Sequence, residues 1–198
     1  MGSPAVGTAV PTSIDTSVRG EELIPLMVRY QDGDTVAFGE LYEALRAPLR
    51  GYVLSLARDL AKAEDLLQET LLQLHRSRHT YQAPRPVRPW AFGIARHVYL
   101  MDRRAAGRRA QVFAEHLELP AELPIPARAF NLSDHEALRR VLGKISEEQR
   151  EVLLLHHIWG FSFAEISKTL GIRVGAARVR SHRGIAQLRA LLGADQRG

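Results

Sequence analysis

The 198-residue sequence has no cysteine, only three lysines (Lys62, Lys144 and Lys168) and no long apolar run. The absence of Cys excludes disulfides and thiolate metal sites, and it fits a reducing compartment. No stretch approaches the roughly 18 consecutive apolar residues needed to cross a bilayer. The opening MGSPAVGTAVPTSIDTSVRG also lacks the charged-then-apolar order of a secretory signal, so a soluble, cytoplasmic chain without direct membrane insertion is expected. The eight His residues (75, 79, 97, 116, 135, 156, 157 and 182) form no HExxH or other compact ligand set, so neither a metal nor a cofactor is expected. There is no phosphate loop, dinucleotide fingerprint or nucleophile elbow, which leaves an enzymatic reading without residues to carry it.

What the chain does have is arginine in clusters. Net charge is only +5, from 27 basic and 22 acidic residues, so the placement of charge says more than its total. The segment Arg85 to Arg109 carries seven Arg against the single acid Asp102, and Gly171 to Arg189 carries five Arg and no acid. Phosphate neutralisation by Lys and Arg supplies most sequence-independent affinity for nucleic acid, so these segments read as two grips on one polymer. The alternative for either one alone is a solvated helix face.

Composition and periodicity predict an all-α chain with two helical domains. Residues 1–20 are small, polar and aperiodic and read as a disordered arm. Helical periodicity then holds over residues 21–104: Phe38, Leu41, Tyr42, Leu45 and Leu49 recur at steps of three and four, as do Leu67, Leu71 and Leu74. Pro48 is expected to kink or end a helix, and APRPVRPW, residues 83–90, to form a loop with Pro89 in the first turn of the helix that follows. Residues 105–132 lose periodicity and contain Pro120, Pro124 and Pro126, the mark of a flexible linker. Fully extended, such a linker spans up to about 90 Å and lets the domains sit far apart.

In the second domain, residues 133–192, three capping boxes occur in succession: Ser133 with Glu136, Ser146 with Gln149, and Ser162 with Glu165. Each marks a helix start, because the Ser accepts a hydrogen bond from a first-turn amide and the later side chain returns one to the Ser backbone. They predict helices near 134–143, 147–158 and 163–170, with Gly143, Gly160 and Gly171 near the ends, and a fourth helix over 174–192; residues 193–198 form a tail. The last two helices, joined by Gly171, Ile172 and Arg173, have the proportions of a helix-turn-helix. On the final helix Val174, Ala177, Ser181, Gly184 and Leu188 share an inward stripe, whereas Gly175, Arg178, Val179, His182 and Arg183 share one that can enter a major groove. Arg there can read guanine or hold phosphate, and Val179 can touch a thymine methyl.

Two further faces stand out. Asp65, Gln68 and Glu69 lie together opposite Leu67, Leu71 and Leu74; such a patch repels DNA and suits a basic protein partner, or else is merely solvated. Phe92, Arg96, Tyr99 and Arg103 alternate rings and guanidinium groups on one face, as a stacking platform for unpaired bases requires. The competing reading places these rings, and Trp90, in the core.

The order GDTVAFGELYEAL, AEDLLQETLLQLHR, WAFGIARHVYLMDRR, linker, ISEEQREVLLLHHIWGFSFAEISKTLGI resembles bacterial sigma factors of the extracytoplasmic-function group in the sigma-70 family, over about residues 21–192. The resemblance implies sigma domain 2 and a helix-turn-helix sigma domain 4, binding to core RNA polymerase and promoter DNA, and help in opening the minus 10 element, with RNA synthesis left to the polymerase. It assigns Asp65, Gln68 and Glu69 to the polymerase. It assigns Arg85, Arg88, Trp90, Arg96, His97 and Arg103 to the minus 10 element, and Arg173, Arg178, Val179, His182 and Arg183 to the minus 35 element. It also implies an anti-sigma factor partner, wedged between the domains. The chain departs from the family pattern at His97, where Asn is common, and at Arg173, where Ser is common. Two other classes remain open: a simple helix-turn-helix regulator, which would bind duplex DNA tightly without polymerase, and an RNA-binding adaptor, which would prefer single strands.

Overall fold

The computed structural model describes residues 21–112 and 142–195, all helices and connecting turns with no strand among them. The N-terminal arm, most of the linker with its prolines, the Ser133–Glu136 capping box and residues 196–198 lie outside the described residues.

Four helices build the first unit. Helix α1 (Leu23–Gln31) buries Leu23, Met27 and Tyr30 at the four- and three-residue steps of one face. It turns through Gly33, whose φ of 97° suits a residue without a side chain, into Asp34. The Asp34 carboxylate accepts from the backbone amides of Val36 (2.9 Å) and Ala37 (3.1 Å) and starts α2 (Thr35–Ala57). These hydrogen bonds, with the neighbouring Arg29, hold the Asp34 carboxyl below its ordinary range. Helix α2 continues through Pro48, so the proline does not end it. Proline removes one donor from the ladder, but Leu45 and Leu49 on either side are buried, and this packing carries the helix across the gap. Asp59 caps α3 (Leu60–Ser77), which buries Leu66, Leu67, Thr70 and Leu74. Helix α4 (Val87–Val112) begins three residues before Trp90, so the proline-rich loop is shorter than its composition suggests, with Pro89 in the first helical turn. Its other end runs past Arg104 to Val112, eight residues into the expected linker. Lys62 on α3 and Asp102 on α4 pair at 2.5 Å.

The second unit follows its capping signals. Ser146 and Gln149 form a complete capping box at the start of α5 (Glu147–Leu153), and Ser162 and Glu165 form another at the start of α6 (Phe163–Leu170). Between them the helix expected to reach residue 158 widens at Leu154–Ile158 into a π-helical turn, in which the Trp159 amide donates to the Leu154 carbonyl at 3.1 Å. Gly160 and Gly171 are left-handed, with φ of 70° and 65°, while Gly143 is still helical. The last helix, α7 (Val174–Asp195), packs Ala177, Ser181 and Gly184 inward. At Gly184 the approach is close: a Cβ there would meet Leu153 Cδ1 at 2.8 Å, whereas nothing lies within 4 Å of one at Gly175. Gly184→Val should therefore lower unfolding free energy by about 1–3 kcal/mol through overpacking. Gly175→Ala should raise it by about 0.5–1 kcal/mol through helix propensity. Urea titrations of both variants check the pair, and a neutral Gly184→Val would remove the close α5–α7 approach.

The linker permits wide separation, but the two units sit directly together. Helix α4 packs along α6, and one continuous buried cluster extends from Leu23 to Ala177. At its centre Phe92 stacks on Tyr52 (centroids 4.8 Å) and meets Phe161 (4.9 Å) and Trp159 (5.7 Å). Aromatic side chains from both units thus share one core.

Candidate nucleic-acid interface

The helix-turn-helix is present as expected. Helix α6 ends at left-handed Gly171, and α7 starts three residues later. Arg173, Arg178, Val179, His182 and Arg183 are all exposed, Val179 to 47%. The opposite stripe is buried at Ala177, Ser181 and Gly184, partly buried at Leu188 and exposed only at its first residue, Val174. The Arg178 guanidinium lies 6.0 Å from the Phe163 ring centroid, which steadies it at the mouth of the turn. Arg180 is different: it pairs with Glu148 at 2.8 Å and has a side chain only 28% exposed.

On α3 the acidic and amide face is also as expected, with Asp65, Gln68 and Glu69 exposed. Leu72 continues the same stripe one turn further and is 43% exposed. The exposed Leu adds apolar surface beside the carboxylates of this face. Its three-residue step from Glu69 was the available signal. Asp65 and Glu69 also edge a groove whose opposite wall is α4, with His97, Met101 and Asp102.

The first basic segment departs most from expectation. Phe92, Arg96, Tyr99 and Arg103 do share a face, but that face is turned toward the second unit. Phe92 is fully buried among the surrounding aromatic rings, which decides for the core over the base-stacking reading of this ring. Arg96 Nε donates to Glu151 Oε1 at 3.1 Å, and the Tyr52 hydroxyl donates to the same oxygen at 2.7 Å. Burial, and then the adjoining Glu151 carboxylate, push the Tyr52 phenol well above its ordinary range, so it stays a donor. Arg103 Nη1 reaches both Glu147 oxygens, at 2.7 and 2.8 Å, and the Tyr99 hydroxyl donates to Glu147 at 3.2 Å. Burial first, then Glu147, raise the Tyr99 phenol as well. Glu147 and Glu151 escaped sequence reasoning because they look like ordinary residues of a capped helix.

The remaining residues of this segment form a groove. Arg85, Trp90, Gly93 and His97 line it from the first unit, and Glu165, Lys168 and Thr169 of α6 wall it from the second. Arg85 and His97 are exposed; Arg88 and Trp90 are half-buried, with the Trp90 ring edge-on to Tyr81 at 5.5 Å. No group of three or more His, Cys, Asp or Glu suited to a metal ion occurs among the described residues, nor is any helix there long and apolar enough to cross a membrane.

Residues 41–109 match the Sigma-70 region 2 family and residues 135–188 match Sigma-70, region 4. The RNA polymerase sigma factor CarQ of Myxococcus xanthus is 35% identical over 174 residues, covering 84% of this chain and 95% of CarQ. The ECF RNA polymerase sigma factor SigF of Caulobacter vibrioides is 34% identical over 178 residues, covering 88% and 94%. Among solved structures, the sigma factor RpoE of Bartonella quintana, in complex with the anti-sigma factor NepR, aligns with a TM-score of 0.71 at 26% identity, covering 80% of this chain and 98% of that one. CnrH, in complex with the cytosolic domain of CnrY, aligns with a TM-score of 0.63 at 26% identity, covering 86% and 97%.

Proposed function

The chain belongs to the extracytoplasmic-function sigma factors of the sigma-70 family, and from that premise we propose how its surfaces divide the work of transcription initiation. It binds bacterial core RNA polymerase, recognises promoter DNA and promotes initiation. The observation that carries this reading is the pairing of region 2 and region 4 on one chain, with the α7 reading stripe facing outward.

In the proposed division, Asp65, Gln68, Glu69 and Leu72 on α3 dock on a basic helical surface of the polymerase, since carboxylates are repelled by DNA. Arg173, Arg178, Val179, His182 and Arg183 enter the major groove of the minus 35 element, Arg by paired hydrogen bonds or phosphate contact and Val179 by apolar contact. Arg85, Arg88, Trp90, His97, Arg96 and Arg103 serve the minus 10 element. The groove bounded by Arg85, Trp90, Gly93 and His97 offers an aromatic wall and positive charge, which suits unpaired bases and their phosphates. An anti-sigma factor is the expected regulatory partner, as RpoE and CnrH were solved with NepR and CnrY. Direct contact between α4 and α6 fills much of the space in which such a partner would wedge, so it would bind around the two units or after they part.

In vitro transcription tests the whole reading: purified core polymerase with genomic DNA should initiate at a specific set of sites only when the chain is added. Initiation at the same sites with equal efficiency without it would overturn the proposal. The docking face has its own test. Asp65→Lys with Glu69→Lys should weaken core binding about tenfold or more, since like charges at a contact cost several kcal/mol. Unchanged affinity in a pull-down would return these residues to the solvated surface.

A further inference from the structure

We propose that Arg58 and Arg150, one from each unit, form a binding site for a small oxyanion of the phosphate type. Neither residue belongs to the surfaces assigned above to DNA or polymerase, and three observations converge on the pair.

The backbone comes first. Arg58 ends α2 in the left-handed conformation, with φ of 60°, and no other non-glycine residue among the described residues has a positive φ. That conformation crowds any Cβ, and helices that end this way usually place Gly or Asn there. Gly would cap α2 without strain, because the capping bond runs from the Arg58 backbone amide to the Leu54 carbonyl at 3.0 Å. What Arg adds over Gly is its side chain, and strain of this kind is retained where a side chain has a function.

That side chain reaches the second unit. Arg58 Nη2 lies 3.4 Å from where a Cβ on Gly143 would stand, and Arg150 Nη1 donates to the carbonyl of the adjoining Leu142 at 3.3 Å. Arg150 is only 6% exposed, and the buried Arg58 Nε has no hydrogen-bond partner among the described residues. Burial, and then the Arg58 charge, hold the Arg150 guanidinium below its ordinary range. Glu147 and Glu151 flank Arg150 on α5 and offset part of this, but Arg103 and Arg96 also draw on them, at 2.7 and 3.1 Å. Four guanidinium groups therefore share two carboxylates, which leaves excess positive charge beside a buried, unused donor.

A phosphate-type oxyanion meets both needs. Its oxygens accept N–H groups from more than one guanidinium fork, and its charge neutralises like charges that face each other. The burial of Nε favours an acceptor small enough to enter between the units, whereas a protein carboxylate brings its own chain with it.

Urea titrations of the full-length chain in millimolar inorganic phosphate test the site, with chloride keeping ionic strength constant so that general salt effects cancel. A ligand that binds only the folded chain stabilises it, so the urea midpoint should rise with phosphate concentration. Arg58→Gly should abolish that rise and, in chloride alone, should be more stable than wild type, because it relieves both the left-handed strain and the like-charge contact. Arg58→Lys keeps the charge but not the fork, and calorimetric titration should show it binding phosphate about tenfold more weakly than wild type. ATP in place of phosphate identifies the source: tighter binding than phosphate supports the site with the terminal phosphoryl group of a nucleotide as occupant, and equal or weaker binding supports it with the free ion. No phosphate response in wild type, or the same response in Arg58→Gly, would overturn the proposal. So would an Arg58→Gly chain less stable than wild type in chloride, which would make the Arg58 side chain a structural prop.

Discussion

Phe92→Ala is expected to lower the free energy of unfolding by about 3–5 kcal/mol, the usual loss when a buried aromatic ring is truncated in a packed core. Phe92 has no exposed surface and touches Tyr52 in its own unit and Trp159 and Phe161 in the other. Its loss opens a cavity where neither unit can collapse alone. Phe92→Leu keeps most of the volume and should cost clearly less. Urea unfolding of the three proteins checks both the size and the order of the effects. Phe92→Ala within about 1 kcal/mol of wild type would mean that the ring is not a core element.

Duplex recognition should depend on Arg178 and Arg183, each losing about 1–3 kcal/mol of binding on replacement by Ala, or roughly 5- to 150-fold in affinity. Both side chains are exposed on the stripe proposed to read the minus 35 element. Arg180 lies between them in sequence, but Glu148 holds it at 2.8 Å, so Arg180→Ala should leave binding close to wild type. Titrations against intact and mutated minus 35 duplexes separate the two ways an Arg can act. A base contact loses its preference at one position, whereas a phosphate contact weakens all sequences alike and flattens the salt dependence. Full affinity in both Arg178→Ala and Arg183→Ala would disqualify the stripe.

These two positions also mark what can and cannot be read from the sequence. The reading stripe is legible because it follows from local rules: Ser162 and Glu165 cap one helix, Gly171 ends it, and helical periodicity sorts the rest. The exposed α3 face is legible for the same reason. Phe92 is not, since its spacing alongside Arg96 and Tyr99 fits a stacking platform as well as a buried ridge. Only the placement of Tyr52, Trp159 and Phe161 around it decides. Arg96 and Arg103 carry the same lesson, because their partners Glu151 and Glu147 lie 55 and 44 positions away. Pro48 shows local preference overridden by packing, as buried Leu45 and Leu49 hold α2 continuous across a residue that normally interrupts a helix.

The wide turn at Leu154–Ile158 acts as a phase shifter. By returning the Trp159 amide to a carbonyl five residues back, it sets every later side chain about one residue, or roughly 100°, out of step with an unbroken α-helix. That offset gives the Trp159 indole its bearing on Tyr52 and Phe92. Removing a single residue from the His156–His157 pair would turn this hydrogen bond into an ordinary α-helical one and leave the indole on the same axis. The wide turn thus absorbs one surplus residue within the helix, so the chain gains length there without displacing the indole that joins the two halves.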